Sequence, residues 1–101
     1  MNAAGDKERV KRNIAVVNGY LAEYFDVVGS AERPPLEVVF KVKHRTTAEY
    51  LRLIVPMRTL DDNESSVLEQ KLRDHNVAGQ LTTKRKFTWV DDDWEKAQPA
   101  A

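Results

Sequence analysis

The chain has 101 residues, no cysteine, and sixteen basic residues balanced by sixteen acidic ones. That length predicts a single domain over 1–101, large enough to bury a core unaided. The lack of thiols excludes a disulfide framework, thiolate metal ligation and a thiol nucleophile, and neutrality argues against nucleic-acid binding through bulk charge alone.

Hydrophobic residues make up 42% and charged residues 32%, which predicts an ordered globular chain. No apolar run approaches a membrane span, and residues 1–12 have no signal-peptide core, so a cytoplasmic protein with no membrane partner is expected. The small and polar residues at about 1–5 and 96–101 predict short flexible termini.

The first element reads as a helix over 6–28. Val10, Ile14, Val17, Leu21, Tyr24 and Val28 recur at spacings of four and three, with Asp6 as N-cap and Gly29-Ser30 as the stop. Asn18-Gly19 is also a hairpin signal. Helix is preferred because strict alternation is missing on either side of it. Val16, Tyr20 and Val27 lie off the stripe, and a second copy packing there would make a homodimer. Burial within the chain's own domain explains them as well.

Arg33-Pro34-Pro35 reads as a stiff connector. Residues 36–43 follow as the clearest strand, with Leu36, Val38, Phe40 and Val42 on one side and Glu37, Val39, Lys41 and Lys43 on the other. A second strand over 49–55 puts Leu51, Leu53 and Val55 on one side, with Tyr50, Arg52 and Ile54 opposite. A four-residue loop at 45–48 sets Val42 against Leu51 and Phe40 against Leu53, which brings both apolar sides to one face.

A helix is predicted over 61–76, capped by Asp61 with Glu64 three residues on; Leu68 and Leu72 mark its inner side, and Gly79 is a late terminator. Residues 84–90 read as a last strand, with Phe87 and Trp89 inward and Lys84, Lys86, Thr88 and Val90 outward. The expected fold is α+β: an α-β-β-α-β order with a three-stranded antiparallel sheet and two helices packed on one face. Its element order alone resembles that of type II KH and BolA-like domains. It lacks their consecutive helix pair and the GXXG clamp, so no residue role is carried over.

No catalytic residue, metal ligand or cofactor motif is found, and a non-enzyme is expected. His44 and His75 have no companion at ligand spacing, no serine sits in a nucleophile elbow, and the glycines are isolated. Asp91, Asp92, Asp93 and Glu95 form an acidic cluster without calcium-loop spacing, which suits a solvated tail better than a metal site.

The outward sheet face is what remains. The predicted register sets Lys43 against Tyr50, Lys41 against Arg52 and Val39 against Ile54, giving a basic end with an aromatic and an apolar end. His44, Arg45, Arg58 and Arg85 could extend the basic end. Candidate binding residues are Lys41, Lys43, Tyr50, Arg52, Lys84, Lys86 and Trp94. An ordinary solvated face is one reading. A surface for a protein partner is the second, which makes the chain a regulatory adaptor or inhibitor. A nucleic-acid platform is the third. The acidic run after Val90 would repel phosphate, which favours a protein.

Overall fold

The computed structural model describes residues 3–33 and 37–89, with side chains from Glu8 onward. Within them the order is α1 (Ala3–Ala22), β1 (Asp26–Arg33), β2 (Glu37–Lys43), β3 (Tyr50–Pro56), α2 (Met57–Asp62), α3 (Ser65–Asp74), α4 (Val77–Lys84) and β4 (Lys86–Thr88). The α+β class is as expected; the sheet and the helix count are not. The sheet has four strands in the order β1-β2-β3-β4, and β4 runs parallel to β3. Two parallel neighbours need a crossover, and α2 to α4 supply it.

The central hairpin matches its predicted register residue for residue. Val42 pairs with Leu51, Phe40 with Leu53, Lys41 with Arg52 and Lys43 with Tyr50. Val38, Phe40, Val42, Leu51, Leu53 and Val55 therefore share one face and enter the core. Val17, Tyr20 and Leu21 of α1, Leu68 and Leu72 of α3, and Val77, Ala78 and Leu81 of α4 close over them. The helices that close over them thus pack against this one face of the sheet.

The first predicted helix is too long at one end and too short at the other. It starts at Ala3, which puts Asp6 inside it rather than at its cap, and it ends at Ala22. The Arg45 guanidinium donates to the carbonyls of Ala22 (2.6 Å), Phe25 (3.3 Å) and Glu23 (3.4 Å), satisfying acceptors that a helix end leaves open. Residues 26–33 then form the unpredicted β1. Tyr20 is buried and Val16 packs against the core, so the extra apolar positions of α1 serve its own domain. Val27 belongs to β1.

The helix predicted over 61–76 is in fact two helices, and Gly79 lies inside a third. Asn63 is extended (φ −113°, ψ 142°) and breaks α2 from α3; Glu64, not Asp61, holds the N-cap position of α3. Lys84 belongs to α4, so it is not on the outward face of a strand. The consecutive helices α3 and α4 are joined through His75-Asn76, without a GXXG sequence. The proposed connector prolines and the tail from residue 90 fall outside the described residues, as do residues 1 and 2; Ala3 to Gly5 are helical.

Two glycines separate propensity from geometry. Asn76 adopts a left-handed conformation (φ 49°) and its Oδ1 accepts the Gly79 N–H at 3.3 Å, capping α4. A Cβ on Gly79 would lie 2.8 Å from Asn76 Cγ, so this cap needs glycine. A Cβ on Gly19 meets nothing within 4 Å. Gly19→Ala is expected to stabilise the fold by about 1 kcal/mol. Gly79→Ala is expected to destabilise it although alanine is the better helix former. Urea denaturation of both variants reads the opposite signs.

Tyr20 ties α1 to α4. Its hydroxyl accepts the buried Ala78 N–H at 3.0 Å. Burial raises its pKa above the usual 10.0, outweighing the opposing effect of that hydrogen bond. A raised folded-state pKa means the contribution is complete below the ordinary tyrosine range and is lost as pH rises through the raised value. Alkaline unfolding should therefore begin at lower denaturant concentration in wild type as Tyr20 ionises. Tyr20→Phe removes that pH dependence and costs roughly 1 kcal/mol at neutral pH.

Candidate interaction face

The pleat that sends Phe40 and Leu53 inward sends their neighbours out. Across the sheet the outward positions fall into rows. One runs Gly29, Lys41, Arg52 and Lys86; the next runs Ala31, Val39, Ile54 and Thr88. Lys43 and Tyr50 flank the first row on the hairpin side, facing Asp26 of β1.

The first row places three cations on three adjacent strands. Like charges directly opposite one another are unfavourable in a sheet. Part of that conflict is relieved by Lys41, whose Nζ lies 4.5 Å from the centroid of the Tyr50 ring. Tyr50 is 57% exposed, so much of its surface remains open to solvent. Among the described residues no carboxylate comes within ion-pair distance of Lys41, Lys43, Arg52 or Lys86. Asp26 and Glu49 are nearby but face Arg45 (3.6 Å) and Arg85 (3.5 Å).

Five of the seven candidate residues, Lys41, Lys43, Tyr50, Arg52 and Lys86, share this face. Lys84 does not: it is in the last turn of α4, with its Nζ 4.9 Å from the ring centroid of the inward-facing Phe87. Trp94 lies outside the described residues.

Two of the proposed extensions of the basic end, His44 and Arg45, have other work. Arg45 caps α1. His44 Nδ1 accepts the N–H groups of Thr46 (3.1 Å) and Thr47 (3.2 Å), organising the hairpin loop. His75 closes α3 and sits edge-on to Trp89. The apolar end is smaller than the alternation implied, because Ile54 is only 4% exposed.

One part of this region is invisible to sequence patterns. Arg85, between α4 and β4, has φ 67° and ψ −31°, an unusual conformation for a side-chain-bearing residue. Its carbonyl accepts the Arg52 N–H at 3.0 Å, which sets β4 in register with β3 and so brings Lys86 beside Arg52.

A second polar feature was also unforeseen. Arg9, Arg12, Glu64, Ser65 and Ser66 line an open cleft of about 400 Å³ between α1 and the start of α3. Arg9 there donates to the Asp61 carbonyl at 3.0 Å, and Glu64 sets a carboxylate among the cations. The described residues contain no group of three or more His, Cys, Asp or Glu placed to hold a metal ion, and no helix long and apolar enough to cross a membrane. Comparison with protein-family models, with curated proteins and with solved structures finds no match for this chain.

Proposed function

We propose that this chain is a non-enzymatic binding protein, an adaptor or inhibitor, that docks an acidic patch of a protein partner on the outward sheet face. Lys41, Arg52 and Lys86 make the charged contacts, Tyr50 is the aromatic anchor, and Lys43 extends the rim. The protein acts in the cytoplasm as a homodimer. One observation carries the reading: three cations stand in a single cross-strand row without a carboxylate in ion-pair range among the described residues. Such a row is held at a cost that an incoming anion offsets.

The same row favours a second reading, in which the anions are phosphates of a nucleic acid and Tyr50 stacks on a base. A single exposed aromatic beside the row, and neutral net charge, favour the protein partner. Affinity capture from the native cell, with and without nuclease, tests both. Under the favoured reading the captured protein survives nuclease and is released by salt. Oligonucleotide binding with a steep salt dependence would establish the second reading instead.

A further inference from the structure

The two edges of the sheet are built differently. β4 is three residues long and carries Lys86, features that discourage pairing with another strand. β1 is eight residues long and, among the described residues, unpaired on its outer side, and every residue but Gly29 is exposed. Its centre, Val27-Val28-Gly29-Ser30-Ala31, has neither charge nor proline; its one irregularity is a bulge at Val28.

Charge around this edge is arranged from end to end. At the start of β1, Asp26 lies with Lys43 and Arg45, two cations to one anion. At its finish, Arg33 lies with Glu32 and Glu37, two anions to one cation. An antiparallel copy of the same edge sets each basic end against the other's acidic end. A parallel arrangement sets like against like.

We propose that β1 is the dimerisation edge: two copies pair antiparallel through it, on a two-fold axis at Ser30, into one continuous eight-stranded sheet. Opposed residues in an antiparallel pair must point to the same face, and an axis at Ser30 meets this in the central stretch after the bulge, where Gly29 and Ala31, both outward, lie opposite each other. It also centres the uncharged stretch and brings the oppositely charged ends together. The pairing leaves the row of Lys41, Arg52 and Lys86 uncovered and doubles it. This deepens the homodimer part of the function proposed above and is independent of what the basic face binds.

Sedimentation equilibrium of the full chain tests it. Wild type should reach twice 11.6 kDa with rising concentration. Ser30→Lys and Ser30→Glu should each stay monomeric with unchanged circular dichroism, because each places like charges on the axis. An equimolar mixture of the two should recover the dimer, and Ala31→Lys should weaken it as a second position. A wild type that stays monomeric overturns the homodimer altogether. A dimer that tolerates both Ser30 variants overturns the β1 interface alone.

Discussion

Asn13→Ala should cost about 3 kcal/mol, the largest loss expected from a single polar substitution in this fold. Asn13 is fully buried in α1. Its Nδ2 donates to the carbonyls of Leu60 (2.6 Å) and Asn63 (2.7 Å), and its Oδ1 accepts the Ser65 hydroxyl at 2.8 Å. One amide thus holds α1 against the break between α2 and α3. Asn63 continues the network: its own Nδ2 donates to the Thr59 carbonyl at 2.9 Å and its Oδ1 accepts from Lys71 at 2.9 Å.

Alanine at position 13 strands two buried carbonyls and a hydroxyl and leaves a small void. For a domain of this size, 3 kcal/mol lowers the midpoint of thermal unfolding by roughly 12–24 °C. Asn13→Asp should be no better, since a carboxylate cannot donate to the two carbonyls and places charge in a buried site. Ser65→Ala should cost only about 1 kcal/mol, because it removes one bond at a part-buried position. Thermal melts of the three variants check the order.

The second large effect concerns binding. Lys41→Glu combined with Lys86→Glu reverses two members of the cationic row while leaving the core untouched, since Lys86 is exposed and Lys41 half-buried on the outward face. Each reversal replaces an attraction by a repulsion, worth on the order of 1–2 kcal/mol at a partly desolvated contact, so affinity for an anionic partner should fall roughly 100-fold. The variant should unfold at or above the wild-type temperature, because glutamates beside Arg52 relieve the like-charge row. Stable folding with lost binding is the combination expected of an interface residue.

What could be read from the sequence follows how local the controlling physics is. The β2–β3 hairpin alternates apart from Val39 and Ile54 and has a short loop, so its register and the pairing of Lys41 with Arg52 could be derived. β1 has no such signal. It is an edge strand wet on both sides, its central residues Gly29, Ser30 and Ala31 are small, and Val28 continues the helical spacing of α1. The break at Asn63 is set by Asn13, fifty residues away, which no local pattern reveals. Gly79 reads as a terminator because glycine usually is one; here it makes room for the Asn76 cap.

The candidate face was legible to the same extent. Lys41, Lys43, Tyr50 and Arg52 follow from the hairpin register alone. Lys86 joins them through a parallel pairing fixed at Arg85, which the expected antiparallel sheet did not contain. Lys84 was misplaced because the boundary between α4 and β4 lies in a run of three consecutive basic residues, Lys84-Arg85-Lys86, that suits either element.

The most direct test of the cationic row as a docking surface is parallel capture from the native cell with wild-type protein and the Lys41→Glu, Lys86→Glu variant, both verified as folded. The wild type should retain a protein partner that survives nuclease treatment, elutes as salt rises, and is absent from the variant. Equal retention of the same partner by both would contradict the account.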